Sequence, residues 1–304
     1  MSDLSKTPIA VLVSDIHLSD KPPTFRSTEP DWFSAMARPL EQLRYRATEL
    51  SVPIVCGGDV FDRWNSSPQL INFAIDNLPE MYSVAGQHDL PHHQYSSIQK
   101  SAYWTLCKTG NIIDLKPEPM QIGDLVLYGF GWNVDIRPQT RRDDFIHLAV
   151  IHKYIWSTRS TGYHGAPRLN HIKELSKSLQ GYDTALFGDN HKGFLSRTDK
   201  GTIVLNNGGF MRRTKDQLDY APSIGILFSD GTVKREKLDC SEDMTLITEH
   251  NGSAKSETDF LEFMEELNHL GSDSLDFMNS IRHYCDNKEI GDEVYSLIME
   301  LCDA

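Results

Sequence analysis

The chain lacks long apolar runs: nowhere in its 304 residues is there a stretch approaching the roughly 20 apolar residues that a bilayer crossing needs. Its opening, MSDLSKTPIAVLVSD, has neither a basic start nor a cleavable apolar segment, so no secretory leader is expected. Cysteine is scarce. The five cysteines, at 56, 107, 240, 285 and 302, form an odd set without a Cys-x-x-Cys pair. That excludes a zinc-finger spacing and a disulfide framework, and it suits a reducing, cytoplasmic location. Internal repeats and low-complexity tracts are missing, and so is a basic excess. The formal net charge is −13 with a pI near 5.3, so the chain has no overall field for holding nucleic acid nonspecifically. What is present is 39% hydrophobic residues, 10% aromatics and a mean hydropathy of −0.42, the composition expected of a soluble globular protein.

The negative charge sits at one end. Residues 241–304 carry 16 acids against 3 bases, which leaves residues 1–240 neutral. Segment 241–256 is polar and rich in turn formers, and three short amphipathic helices are expected at 258–270, 274–286 and 291–302. The expected organisation is therefore a body over 1–240, a linker over 241–256 and an acidic helical segment over 257–304. In the body, apolar runs rich in β-branched residues recur at 9–13, 53–56, 81–84, 125–128, 146–151, 184–187, 202–205, 224–228 and 232–234. Runs of this kind read as strands covered on both faces. Residues 32–50 carry Phe33, Met36, Leu40, Leu43 and Ala47 on one helical stripe, with Asp31 as N-cap and Pro39 expected to kink or interrupt the helix. Further helices are expected at 69–77, 97–109 and 170–180. The alternation predicts an α/β sandwich.

Chemistry-bearing residues cluster where strands end. Asp15-x-His17 follows the first strand, Gly57-Gly-Asp59-x-x-Asp62 the second, and Gly86-Gln87-His88-Asp89 the third. His152 ends the run from 146, and Gly188-Asp189-Asn190-His191 ends the run at 184–187. Ligands of α/β sheets bind at the carboxyl ends of strands, so these five groups are expected to converge. Singly, each has a plainer reading as a turn, a helix cap or a core histidine. Five strand ends that each deliver Asp or His are not explained that way.

In this order the motifs resemble the calcineurin-like metallophosphoesterases, with their D-x-H, G-D-x-x-D, G-N-H-D/E, isolated His and G-H-x-H elements, over roughly residues 9–210. Asn206-Asn-Gly208-Gly209 resembles the family's N-x-G-S element. The resemblance implies a two-sheet α/β sandwich flanked by helices, here with a small C-terminal helical extension. It implies that Asp15, His17, Asp59 and His191 hold one divalent metal ion and that Asp59 bridges to a second held by Gln87, His152 and Asp189. Two cations about 3.5–4 Å apart activate a water and neutralise charge on a phosphoryl group. His88 is placed as general acid, with Asp62 orienting it, while Asp89 anchors the loop.

Two positions depart from the pattern. Gln87 stands for Asn and Asp189 for His, both at the second metal, and the harder donor set points to Mn²⁺, with Mg²⁺ as the alternative, rather than Zn²⁺. A weak or vacant second site is the competing expectation. For substrate, the order of elements, the segment Tyr128-Gly-Phe-Gly-Trp132 and the helical C-terminal addition resemble the SbcD-like branch, including phage recombination nucleases. That resemblance implies DNA as substrate, exonuclease or endonuclease activity, and a coiled-coil ATPase partner contacted through the C-terminal helices. Arg212, Arg213, Lys192 and His164 are the candidate substrate contacts, and with Arg137, Arg141, Arg142, Lys153, Arg159, Arg168 and Arg197 they lie interleaved with Trp132, Tyr154, Trp156, Tyr163 and Phe210, a mixture that grips phosphates and stacks on bases. The alternatives are a small-nucleotide phosphodiesterase or phosphatase, and a degraded phosphoesterase serving as a binding scaffold. No membrane association is expected.

Overall fold

Strand β1 (Pro8–Val13) shows how the apolar runs are used. Val11 and Val13 pack with the helices on one side of the sheet, while Ala10 and Leu12 face a second sheet on the other. Side chains alternate across a strand, so a continuous apolar run is what a strand covered on both faces requires. The computed structural model describes residues 6–140, 144–163 and 165–246.

After β1 come α1 (Trp32–Leu50), β2 (Ile54–Cys56), α2 (Pro68–Asn77), β3 (Met81–Ser83), α3 (Ala102–Thr109) and β4 (Ile112–Asp114). The chain then enters β5 (Met120–Ile122), β6 (Leu125–Phe130), β7 (Ile146–His152), β8 (Thr184–Gly188), β9 (Phe194–Arg197) and β10 (Ile203–Asn206), and returns through β11 (Ser223–Phe228) and β12 (Val233–Lys237). Two six-stranded mixed sheets result, in the orders β12-β11-β1-β2-β3-β4 and β5-β6-β7-β8-β10-β9. Within them β1 to β4 run parallel, as do β6, β7, β8 and β10, and β5, β9, β11 and β12 are antiparallel. Leu12, Val55, Leu127, Leu148, Val150, Leu186 and Leu205 fill the space between the sheets. The expected sandwich flanked by helices is the fold of the described residues.

Helix α1 has the expected limits. The Asp31 side chain accepts from the Phe33 and Ser34 backbone N–H groups, and Ser51 ends the helix in the left-handed region. Pro39 does not interrupt it; the helix runs through, forgoing one backbone hydrogen bond. Two other helices differ from expectation. The segment expected at 97–109 is a 3-10 stretch (Tyr95–Lys100) followed by α3, because Ser101 adopts an extended backbone and caps the new helix through its hydroxyl, which accepts from Trp104 N. Residues 170–180 form turns: Trp156 N donates to Asn170 O and Ile172 N to Trp156 O, so the would-be first helical turn is held in a β-bridge. Strands β4, β5 and β9 were not expected.

Residues 241–246, the start of the expected linker, are fastened to the body. Buried Arg26 pairs with Glu29 and with Asp243 (2.8 Å), and Leu246 N donates to Phe25 O. The expected helices at 258–270, 274–286 and 291–302 lie outside the described residues. Among the described residues no helix is long and apolar enough to cross a membrane.

Candidate metal centre

The loops after β1, β2, β3, β7 and β8 meet where the two sheets touch. Asp189 N donates to Asp15 Oδ1 (2.8 Å), and the Gly57 carbonyl accepts from His152 Nδ1 (2.7 Å). Turning each loop sharply demands unusual backbone. Asp15, His17, Asp59 and Asp189 all have positive φ (54°, 50°, 53° and 89°), a conformation that costs an ordinary residue about 1–3 kcal/mol. Four of the seven expected metal ligands are thus held in the left-handed region. Two glycines make the close approach possible. At Gly58 a Cβ would meet His152 Nδ1 at 2.5 Å, and at Gly86 it would collide with the Asp59 carboxylate.

Three overlapping groups of side chains bring donor atoms within 4.8 Å of one another: Asp15, His17 and His191; Asp15, Asp59 and His152; and His17, Asp62 and His88. His17 Nε2 faces His191 Nε2 at 3.1 Å, and Asp59 Oδ2 lies 3.3 Å from His152 Nε2 and 3.8 Å from His17 Nε2. Asp15 Oδ2 and Asp59 Oδ2 are buried and have no hydrogen-bond partner. Leaving such oxygens unpaired is costly unless something charged completes them. Two carboxylates, three imidazoles and their inward-facing lone pairs are the donor set a divalent cation fits.

The expected second-site ligands are arranged differently. Gln87 Nε2 donates to Asp189 Oδ1 (2.7 Å), and Gln87 Oε1 faces His152 Nε2 (2.6 Å). An amide oxygen only accepts, so His152 carries a proton on Nε2, and its bond to the Gly57 carbonyl requires one on Nδ1 as well. His152 is then an imidazolium. Burial alone would lower its pKa, but the negative charge of Asp59, with that of Asp189 and Asp15, raises it to about 10. Burial raises Asp15 to about 7 and also lifts Asp189, while it pushes His17 down. Asp59 resists burial because His152, His88 and His17 surround it, and it stays well below the usual carboxylate range.

His88 sits at the edge of the cluster. Its backbone N–H donates to Asp59 Oδ1 (3.0 Å), and its Nδ1 bonds the Asp62 carbonyl (2.8 Å). Asp62 therefore orients His88 through its main chain. Its carboxylate accepts instead from Arg213 Nη2 (2.7 Å) and lies 3.6 Å from His17 Nδ1. Asp89 anchors the loop as expected, accepting from the backbone N–H groups of Val60, Phe61 and Gly86.

The expected substrate contacts fare less well. Arg212 is spent on Asp243 and on the carbonyls of Leu218 and Cys240, an internal tie invisible in the sequence because Asp243 lies 31 residues away. Arg213 clamps the site from behind: Nη1 donates to His17 O (2.7 Å) while Nη2 holds Asp62. One guanidinium thus fixes both the loop bearing His17 and the loop that orients His88. Lys192 is exposed, with Nζ 3.3 Å from Gly162 O, and His164 lies outside the described residues. Sequence reasoning missed Asn190, which is buried between two ligands and donates to Ile155 O and Thr161 O.

Replacing Arg213 with Ala is expected to lower kcat about 10- to 100-fold with little change in KM, the range seen when a group supporting a metal ligand is removed. Arg213→Lys, which restores charge but not the two-acceptor fork, is expected to recover part of the loss. A loss confined to KM would mark Arg213 as a substrate contact instead.

A family model described as calcineurin-like phosphoesterase matches residues 10–193, which run from β1 past the last expected ligand. Among solved structures, the chain is similar to a metallophosphoesterase from Sphaerobacter thermophilus at 15% identity and a TM-score of 0.39, covering 77% of this chain and 90% of that one. It is similar to a dimetal phosphatase from Danio rerio at 13% identity and a TM-score of 0.48, covering 78% and 98%. A 5'-nucleotidase from Candida albicans is similar at 10% identity and a TM-score of 0.44, covering 78% of this chain and 52% of that one. No curated protein sequence matches the chain significantly.

Proposed function

The chain belongs to the calcineurin-like phosphoesterase family, and from that premise we propose that it is a phosphodiester hydrolase that uses two divalent cations to cleave DNA. The observation that carries the hydrolase reading is the pair of buried, unpartnered carboxylate oxygens, Asp15 Oδ2 and Asp59 Oδ2, facing three histidines in one cleft. Asp15, His17, Asp59 and His191 would hold one cation, and Asp59, Gln87, His152 and Asp189 the other. The oxygen-rich second set favours Mn²⁺ or Mg²⁺. When bound, the cations supply positive charge against the phosphoryl oxygens and make a water acidic enough to attack.

The protein's own groups do the rest. His88 keeps Nδ1 on the Asp62 carbonyl, so the proton it delivers to the leaving oxygen comes from Nε2. In the cation-free protein, burial alone would lower its pKa, yet the charge of Asp59 holds it above the usual histidine value. The Asp62 carbonyl fixes the imidazole through Nδ1, and Arg213 holds Asp62 in turn. DNA is proposed because Lys153, Tyr154 and Trp156 closely follow His152 in the chain and Lys192 directly follows His191.

The test is Mn²⁺-dependent hydrolysis of single-stranded DNA, duplex DNA and bis-p-nitrophenyl phosphate, with His88→Ala as control. The reading expects all metal-dependent cleavage to fall with His88→Ala, by about 100-fold or more for leaving groups that need a proton. Cleavage of the small diester without degradation of DNA favours a small-nucleotide phosphodiesterase or phosphatase.

A further inference from the structure

The loop that follows β7 carries a composition unlike the rest of the chain. Residues 145–173 contain no Asp or Glu, although the protein as a whole has a net charge of −13. Within 153–173 lie Lys153, Arg159, Arg168 and Lys173, all exposed, and the rings of Tyr154, Trp156 and Tyr163. Tyr163 is 46% exposed and Leu169, at 76%, is the most exposed large apolar side chain among the described residues.

The loop is built rather than loose. Trp156 pairs with His171 as a β-bridge, and its Nε1 donates to Pro167 O (2.9 Å). Tyr163 N donates to Tyr154 OH (3.2 Å), and the two rings lie 5.0 Å apart. It is also fastened to the metal centre. Lys153 follows His152 directly, and Asn190, between Asp189 and His191, donates to Ile155 O (2.6 Å) and Thr161 O (2.8 Å).

We propose that this loop is a platform for single-stranded nucleic acid, holding the phosphate backbone through its Lys and Arg side chains and stacking unpaired bases on Tyr163 and its neighbours, so that the strand is delivered to the cleft. The proposal rests on the phosphodiesterase reading and narrows its substrate. An acid-free basic segment on an otherwise acidic protein is complementary to a polyanion. The exposed ring of Tyr163, with half-buried Tyr154 packed against it, distinguishes a single strand from a duplex, whose base faces are already stacked. Because its internal bonds fix the loop beforehand, little ordering opposes binding.

The experiment uses the full-length protein in EDTA, where cleavage is absent, with fluorescein-labelled dT20 and a 20-base-pair duplex as probes. The expected result is that dT20 binds at least about tenfold more tightly than the duplex, and that Tyr163→Ala weakens dT20 binding about five- to tenfold. The double variant Arg159→Ala/Arg168→Ala is expected to flatten the slope of log affinity against log salt by roughly 0.7 for each phosphate no longer neutralised. Lys200→Ala, exposed and outside the loop, is expected to bind as the wild type does, and circular dichroism of each variant checks the fold. Failure of dT20 to bind, duplex binding of equal strength, unchanged binding by the loop variants, or equal displacement of dT20 by an acidic polypeptide overturns the proposal. Hydrolysis of bis-p-nitrophenyl phosphate by the wild type, measured in parallel with Mn²⁺, reports on the phosphodiesterase reading separately.

Discussion

Replacing Asp59 with Asn is expected to reduce phosphodiester hydrolysis by at least about 100-fold while the protein remains folded. Asp59 is fully buried, and one of its oxygens holds the His88 backbone N–H while the other points unpartnered at His152 and His17. Asn keeps the shape and the first contact but removes the charge that the two proposed cations would share. Charge stabilisation by metal at a phosphoryl centre amounts to several kcal/mol, and each 1.36 kcal/mol is tenfold in rate. Steady-state kinetics and metal content by mass spectrometry, read together, check this. Activity within about tenfold of the wild type, with metal retained, contradicts it.

Cation binding is expected to release about one proton at pH 8 and more than one near pH 6.5. His152 must lose its Nε2 proton to become a ligand, and its pKa of about 10 means that proton is present at either pH. Asp15, raised to about 7, contributes a further share at the lower pH. Apparent Mn²⁺ affinity therefore rises with pH. The cation-free fold shows the opposite trend. A histidine whose folded pKa lies above its unfolded value stabilises fully below the unfolded value and loses that contribution as pH rises through the folded one. Between pH 7 and 9 the metal-free protein is expected to lose about 1.4 kcal/mol of stability per pH unit from His152. Titration of Mn²⁺ into weakly buffered protein reads the protons, and thermal unfolding with and without Mn²⁺ reads the stability. Metal binding without proton release contradicts the imidazolium assignment.

Much of the centre was legible because its residues follow apolar runs that can only be buried strands. Asp15, Asp59, Gln87, His152 and Asp189 each come close to a strand end, and parallel pairing places those ends side by side. Short peripheral strands were not legible. β5 and β9 are partly exposed and polar, so they lack the apolar signature, and β4 has only three residues. The helix expected at 170–180 failed because a tertiary bridge to Trp156 outweighed local spacing. The internal ties of Arg212 and Arg213 were not legible for a similar reason. Basic residues near a phosphate site suggest substrate contact, but their partners, Asp243 and Asp62, come from distant segments that only the fold brings near.

The Gln87 bridge between His152 and Asp189 bears on order of loading. The first set has the unpartnered Asp15 Oδ2 and one hydrogen bond to break, between His17 Nε2 and His191 Nε2, whereas the second must break two before it can bind. The second cation is therefore expected to bind more weakly than the first.

Anomalous diffraction from crystals grown in saturating Mn²⁺ tests the central claim most directly. The expected result is two manganese peaks about 3.5–4 Å apart with Asp59 between them, one among Asp15, His17 and His191 and the other among Gln87, His152 and Asp189. An ordered site with no manganese within bonding distance of Asp59 contradicts the account.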